Sequence, residues 1–450
     1  MSLLRGQHID LLPTRSEAHA ALVRQLTQRV REALSSHRLE LRALGKGEPD
    51  IADEIRIARQ VVADERDRET TNGALGLELT LDEFDRAGES VIAGVLGLGR
   101  LQPLLEDPDI SDIHVRGAAP VWVKRRDGSR VCVEPVVDTD DELIDLIRRA
   151  ATRFVRNEQR FDAANPELNL QLPDGSRLFA TMAVSQHPSL VIRRHRFEIS
   201  SLRELQERGL FNADVKSFLA AAVKAKRNVV IAGGTGSGKT TLLRALLNEV
   251  PIEERIVTIE DAYELGIERF ADLHPDHDAL QSRPANIEGR GEITMADLTR
   301  MALRMDPDRV IVGEVRGAEA FPMLMAMSQG NNGSMCTMHA DGTRSVFPKL
   351  AAYVSMASTG LPVDTVNLLM GSAVHFVVFI ANDNGVRRVR SIREVVDSDG
   401  AQIISNEIYK PSSTGGCEPA YPLRETTREL LENAGYMSPR DIERSQRGSL

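Results

Sequence analysis

The sequence predicts an α/β chain in three parts: a helical N-terminal extension over residues 1–85, a small α+β domain over residues 86–200 and a larger α/β domain over residues 205–450. The third part determines the fold class, because short apolar runs alternate there with amphipathic helical stretches, as in a parallel sheet. The second part has short strand-like runs separated by turn residues, and the first is charged with a helical period.

In the α+β domain, two pairs of apolar runs flank turns and predict hairpins, and one amphipathic stretch with an acidic start predicts a helix. The hairpin strands are residues 121–124 with 130–133 and 168–172 with 178–183, the helix is 140–154, and two further strands are 113–115 and 190–192. Residues 197–210 are expected to form a linker.

In the α/β domain, five apolar runs predict strands of a parallel sheet, and two later runs predict a terminal hairpin. The sheet strands are residues 229–232, 256–259, 310–312, 334–338 and 376–380, and the hairpin pairs 388–396 with 402–408. The stretch LHPDHD, with His274 and His277, is predicted to be a polar loop that binds no metal.

A glycine-rich loop joins the apolar run 229–232 to an amphipathic helix predicted over residues 240–250. Strand, glycine loop and helix together are the context of a phosphate-binding loop, in which backbone N–H groups and the helix start face phosphate oxygens. A lysine there reaches the β- and γ-phosphates, and the following hydroxyl can ligate Mg²⁺. The predicted nucleotide-binding residues are Gly233, Gly234, Thr235, Gly236, Ser237, Gly238, Lys239, Thr240 and Thr241.

Carboxylates follow two other predicted strands of the same sheet. Glu260 and Asp261 come directly after residues 256–259, and Glu314 follows residues 310–312. Ligands of open α/β sheets bind at the carboxyl ends of the strands, so one carboxylate can order the metal's water shell and another can orient an attacking water. His339 follows the strand 334–338 and could sense a γ-phosphate by hydrogen bonding, or be structural.

Composition excludes some classes of protein. The net charge of −10 disfavours a general nucleic-acid-binding surface, which has to be basic to neutralise phosphates. The three cysteines are far apart, so neither a zinc ribbon nor a disulfide framework is indicated. No apolar run reaches the ~18 residues of a membrane span, and the N-terminus has no secretory signal. We therefore expect a cytoplasmic protein that associates with membranes only peripherally.

Five ordered motifs resemble the type II/type IV secretion ATPase superfamily, and within it most closely the Tad/Flp pilus-assembly ATPases. They are GGTGSGKTT, RIVTIEDAYEL (residues 255–265), RPANIEGRGEIT (283–294), LRMDPDRVIVGEVRG (303–317) and GNNGSMCTMHADG (330–342). Three upstream motifs resemble the family's N-terminal domain: SDIHVRG (111–117), LPDGSRL (172–178) and LVIRRHR (190–196).

The resemblance implies a RecA-like domain preceded by a PAS-like α+β domain, with the nucleotide between them. It also implies a homo-hexamer that hydrolyses ATP with Mg²⁺ and acts on an inner-membrane platform protein. Nucleic acid is not an expected partner. By the resemblance, Glu260 is the water-activating acid, Glu314 the Walker-B-type glutamate near Mg²⁺ and His339 the histidine-box residue. Arg177, Arg193 and Arg194 match N-domain arginines that reach phosphates, a task suited to forked guanidinium contacts.

Two positions depart from the family pattern. Asp306 stands where the family often has arginine, with Arg304 and Arg309 as possible replacements, and Asn331 stands at the first histidine of the histidine box. Two other functions stay open beside the pilus or secretion motor, and the departures give weight to the second of them. One is a DNA-translocating or conjugation-linked RecA-like ATPase, and the other is a nucleotide-binding scaffold with weak hydrolysis.

Overall fold

The computed structural model describes residues 15–45, 51–71, 80–154, 160–172, 174–194, 201–286, 288–383, 385–413 and 415–437. The chain divides into two compact units, Met1–Arg194 and His195–Leu450. Of the predicted helical extension, residues 1–14, 46–50 and 72–79 lie outside the described residues, as do residues 197–200 of the predicted linker.

The first unit begins with three helices that share one apolar cluster. They are α1 (Arg15–Ala43), α2 (Ile51–Thr71) and α3 (Leu81–Leu96). Leu26, Val30 and Phe84 are buried where the helices pack together. Thr80 and Glu83 form a capping box at the start of α3. The predicted boundary at residue 85 falls within α3, which packs on α1 and α2 as far as Leu96.

The other described residues of the first unit form a six-stranded antiparallel sheet with two α-helices. The helices are α4 (Gln102–Glu106) and α5 (Asp140–Phe154), and the strands are β1 (Ile110–Arg116), β2 (Val121–Arg125), β3 (Arg130–Val133), β4 (Glu167–Gln171), β5 (Arg177–Thr181) and β6 (Ser189–Arg193). The strand order is β3-β2-β1-β6-β5-β4. Both predicted hairpins are present as β2–β3 and β4–β5, and the predicted helix 140–154 is confirmed.

The second unit is built on a nine-stranded sheet. Its strands are β7 (Val229–Gly233), β8 (Ile256–Glu260), β9 (His277–Gln281), β10 (Arg309–Val315), β11 (Met335–Met338), β12 (Phe376–Asp383), β13 (Val386–Ser398), β14 (Ile403–Pro411) and β15 (Cys417–Pro419). Its helices are α6 (Leu202–Glu207), α7 (Ala213–Lys224), α8 (Lys239–Leu247), α9 (Met295–Ala302), α10 (Ala320–Ser328), α11 (Val346–Met356), α12 (Val363–Ala373) and α13 (Glu425–Asn433).

The sheet order is β15-β14-β13-β12-β7-β11-β10-β8-β9, and the six strands from β12 to β9 are parallel. If the five predicted parallel strands are numbered along the chain, their order is 5-1-4-3-2, the RecA-like arrangement. The predicted fold class is confirmed. Two apolar cores cover the two faces of this sheet, which is why β7 and β8 are buried along their whole length.

Two predicted loops contain secondary structure. In the linker predicted over residues 197–210, α6 packs Leu202 and Leu205 into the core of the second unit. The polar stretch at residues 273–278 leads into the edge strand β9, which pairs with β8. Arg255 forms ion pairs with Asp276 and Asp278, so these charges are satisfied at the sheet edge. The polar composition did not indicate this strand, because Arg255, which pairs with its aspartates, lies more than twenty residues earlier in the chain.

Candidate functional site

The glycine-rich loop lies between β7 and α8, as predicted. Gly236 and Gly238 have φ values of +71° and +99°, in the left-handed region where a side chain would be strained. Gly238 is also the N-cap of α8 and provides no side-chain cap for the helix. The first N–H groups of α8 are therefore available to an anion, which is the geometry of a phosphate cradle. Within the loop, the N–H of Ser237 donates to the carbonyl of Gly234 at 3.3 Å.

Lys239 is the first residue of α8 and is 8% exposed. Its Nζ donates to the carbonyl oxygens of Gly233 at 3.1 Å and Gly234 at 3.0 Å. An ammonium has three donors, so one is left for a phosphate oxygen. Burial lowers the pKa of Lys239, whereas the charges of Glu314 and Glu264 raise it. A low-dielectric position strengthens the attraction between this ammonium and an anionic ligand.

Glu314 and His339 meet at the carboxyl ends of β10 and β11, and β11 is the strand that separates β10 from β7 in the sheet. The pairing between β10 and β11 shifts register between Val312 and Val315, so β10 has one extra residue there. Such a bulge redirects side chains. The Oε1 atom of Glu314 lies 3.0 Å from Nε2 of His339. Burial lowers the pKa of His339 and Lys239 lowers it further, although the charge of Glu314 raises it. The net direction favours the neutral ring, which can donate from Nε2 to the Glu314 carboxylate.

Glu260 ends β8 and is 2% exposed. Its Oε1 accepts hydrogen bonds from the backbone N–H groups of Glu264 at 2.9 Å and Leu265 at 2.8 Å. Burial raises the pKa of Glu260 to about 7, although those two bonds oppose the rise. A buried carboxyl group that holds a turn is poorly placed to activate a water molecule. The assignment of Glu260 as water-activating acid therefore stays a prediction that its surroundings do not support.

Glu264 is the carboxylate of the acidic motif whose charge acts on Lys239. It is partly exposed, lies four residues beyond Glu260 and belongs to the turn that Glu260 holds. Sequence reasoning overlooked it because it favoured the acids nearest the strand end. The signal was present in the motif IEDAYEL, whose second glutamate follows the strand-end glutamate by only four residues.

Replacement of Glu260 by glutamine should stabilise the protein at pH 8 but not at pH 5. The pKa of Glu260 is raised above its unfolded value of 4.5, so its contribution to stability is present below pH 4.5 and lost as the pH rises through 7. Glutamine keeps the acceptor oxygen and never ionises. We expect a gain of about 1–3 kcal/mol in the free energy of unfolding at pH 8, measured by urea denaturation. The matched control is Glu253→Gln at an exposed position, and equal gains at both pH values would contradict the prediction.

The three predicted arginines are in the first unit. Arg177 and Arg193 are cross-strand partners on β5 and β6, and Arg193 donates to Asp112 at 3.1 Å. Arg194 donates to the backbone carbonyls of Asp107 and Ile110 and so fixes the start of β1. Phosphate binding by these three arginines stays a prediction. Arg194 also has a structural role, because it donates to the two backbone carbonyls.

The two departures from the family pattern lie next to each other. Asp306 is exposed and has a φ of +53°, which aspartate tolerates better than most residues. Asn331 donates from Nδ2 to the carbonyl of Pro307, so it holds the same turn. Arg309 is fully buried and paired with Glu254, which excludes it as a replacement arginine, whereas Arg304 is exposed.

Among the residues that the structure describes, no cluster of three or more histidine, cysteine or carboxylate residues is suited to hold a metal ion. Within the same ranges, every helix is too short or too polar to cross a membrane.

Comparison with known proteins shows what the chain is similar to. Residues 96–437 match the family model described as type II/IV secretion system protein. A putative conjugal transfer protein of Mycobacterium tuberculosis is 35% identical over 314 residues, which cover 68% of this chain and 86% of that protein. Type IV secretion system protein VirB11 of Brucella suis is 32% identical over 323 residues, 66% of this chain and 87% of VirB11. The crystal structure of the VirB11 ATPase from Brucella suis aligns with a TM-score of 0.36 at 30% identity, over 65% of this chain and 94% of that one.

Proposed function

The chain belongs to the type II/IV secretion system protein family, and on this basis we propose that it is an ATPase that powers secretion or pilus assembly. The observation that supports this most is the placement of Lys239, Glu314 and His339. They lie at the carboxyl ends of β7, β10 and β11, three neighbouring strands of one parallel sheet. A phosphate held by the glycine loop would have a cation, a carboxylate and a neutral imidazole at the same edge.

In this proposal ATP binds at the loop formed by residues 233–241, and Mg²⁺ is held by the Thr240 hydroxyl and the Glu314 carboxylate. Both side chains present oxygen atoms at partly exposed positions, and oxygen ligands are the ones that Mg²⁺ prefers. When bound, Mg²⁺ would neutralise part of the negative charge of the phosphates. Lys239 would bind the β- and γ-phosphates through its remaining donor. His339 would donate a hydrogen bond to the γ-phosphate, or keep its contact with Glu314 and so couple that carboxylate to the bound phosphate.

We assign the orientation of the attacking water to Glu264 rather than to Glu260. The carboxylate of Glu264 is partly exposed and within electrostatic reach of Lys239, whereas that of Glu260 is enclosed and hydrogen-bonded to backbone. Because the backbone N–H of Glu264 donates to Glu260, the buried residue would position the catalytic one. A general base has to reach its water, and of these two carboxylates only that of Glu264 meets this condition.

From the family resemblance we further propose a hexameric ring, action on an inner-membrane platform protein, a cytoplasmic location at the membrane face and membership of the Tad/Flp branch. A conjugation-linked transport ATPase is the second candidate, and its support is the 35% identity to a putative conjugal transfer protein.

Release of phosphate from ATP tests the proposal. We expect the purified chain to hydrolyse ATP when Mg²⁺ is present and to lose this activity in excess EDTA. Mass photometry with and without ATP should show a species of six chains of 49.6 kDa each. Tight ATP binding without turnover would select the nucleotide-binding scaffold instead. Stimulation by DNA that falls steeply with salt would favour the conjugation-linked candidate.

A further inference from the structure

The hairpin of β12 and β13 lies beside the glycine loop, on the side of β7 that faces away from β11. The pairing of β12 with β7 ends where Ile380 is opposite Gly233. The last residues of β12 therefore extend past the end of β7, next to the loop. There Asn382 and Arg387 are cross-strand partners. Directly paired residues project from the same face of a two-stranded ribbon, so their side chains share one face.

Two separate contacts show that this face is turned toward the loop. The Nδ2 atom of Asn382 donates to the carbonyl oxygen of Gly236 at 3.5 Å. The Cδ atom of Arg387 lies 3.5 Å from the position that a Cβ atom on Gly238 would take. Arg387 is exposed, so its guanidinium is accessible to a ligand in the loop. The neighbouring Arg388 has the opposite orientation, and its guanidinium lies against Gly415.

The position of the hairpin decides which part of a nucleotide Arg387 would meet. Glu314 and His339 are on the other side of β7, on β10 and directly after β11, so the reacting γ-phosphate belongs there. The backbone of a glycine loop cradles the α- and β-phosphates. A guanidinium beside Gly238 is therefore next to the phosphates that are common to ATP and ADP.

We propose that Arg387 is a nucleotide-binding residue that contacts the non-transferred phosphates, with Asn382 fixing the hairpin against the loop. This inference rests on the proposed nucleotide site. It makes the hairpin a third wall of that site, beside the loop and the carboxylate edge. Because ATP and ADP share these phosphates, Arg387 contributes equally to binding of both nucleotides and does not contribute to hydrolysis.

The test is Arg387→Ala, with titration calorimetry of ADP and of a non-hydrolysable ATP analogue in Mg²⁺. We expect both affinities to fall by about tenfold, the effect of one lost charge-assisted hydrogen bond at a partly exposed site. The kcat at saturating ATP should stay within about twofold of the wild-type value. Arg387→Lys, which keeps the charge without the fork, should recover part of the affinity.

Arg388→Ala is the matched control, because it removes the same charge from the opposite face of the same strand. Equal losses of nucleotide affinity in both alanine variants would show a general electrostatic effect of the charge and would overturn the inference. An unchanged ADP affinity in Arg387→Ala would overturn it as well. A loss confined to the ATP analogue would place the contact at the γ-phosphate and also overturn it. If the wild-type chain binds neither nucleotide, the proposed function itself fails, which this series distinguishes.

Discussion

Lys239→Ala is expected to reduce kcat/KM for ATP hydrolysis by at least about a hundredfold. Lys239 is 8% exposed and its ammonium donates to two loop carbonyls, so the charge is held beside the loop before any ligand arrives. Preorganised charges in an enclosed site act most strongly on charge that develops during the reaction, and loss of one such donor costs about 3 kcal/mol. Phosphate release under steady-state conditions measures the effect.

Lys224→Ala provides the matched control, since it removes the same side chain from an exposed position on the second unit. Its turnover should equal that of the wild type. Thermal unfolding should show that Lys239→Ala keeps the fold, because burial already disfavours the charged lysine and its removal relieves that cost. Unchanged hydrolysis in a folded Lys239→Ala protein would contradict both the site and the function.

The parts of the site that could be predicted from sequence are those encoded by residues adjacent in the chain. The glycine loop needs a strand before it and a helix after it, and both leave a periodic pattern. Glu314 and His339 could be found because each follows an apolar run of a parallel sheet, whose carboxyl ends share one edge. Their 3.0 Å contact, however, depends on a bulge in β10 that no sequence pattern signals.

The parts that could not be predicted depend on which way a side chain turns and on pairing between distant residues. Glu260 and Glu264 are both acidic and four residues apart, and only the hydrogen bonds of the turn show that the first is enclosed. Arg309 is a candidate for an exposed role by position alone, but Glu254 holds it in the interior. Asn382 lies 146 residues beyond Gly236, which it contacts, and Arg387 lies beside Gly238 at a still larger separation, so local patterns do not connect this hairpin to the loop.

Glu264→Gln should abolish hydrolysis while nucleotide affinity is retained, and Glu260→Gln should keep most of the activity. Glutamine at position 264 cannot accept a proton from water, and loss of a general base costs about a hundredfold or more in kcat. Glutamine at position 260 still accepts hydrogen bonds from the N–H groups of Glu264 and Leu265 through Oε1. We expect its kcat to stay within about fivefold of the wild-type value, measured by phosphate release at saturating ATP.

Glu260→Ala separates positioning from catalysis, because it removes the acceptor that the turn requires. Its kcat should fall by about tenfold with little change in the affinity for ADP, and the glutamine variant should recover that loss. If Glu260 served only to stabilise the core, Glu260→Ala would lower the free energy of unfolding, but kcat would not differ between the alanine and glutamine variants in this way. If Glu260→Gln were as inactive as Glu264→Gln, the buried residue would itself act on the water. The carboxyl group would then have to leave its turn in the nucleotide-bound state, since in this structure its Oε1 is held by two backbone donors.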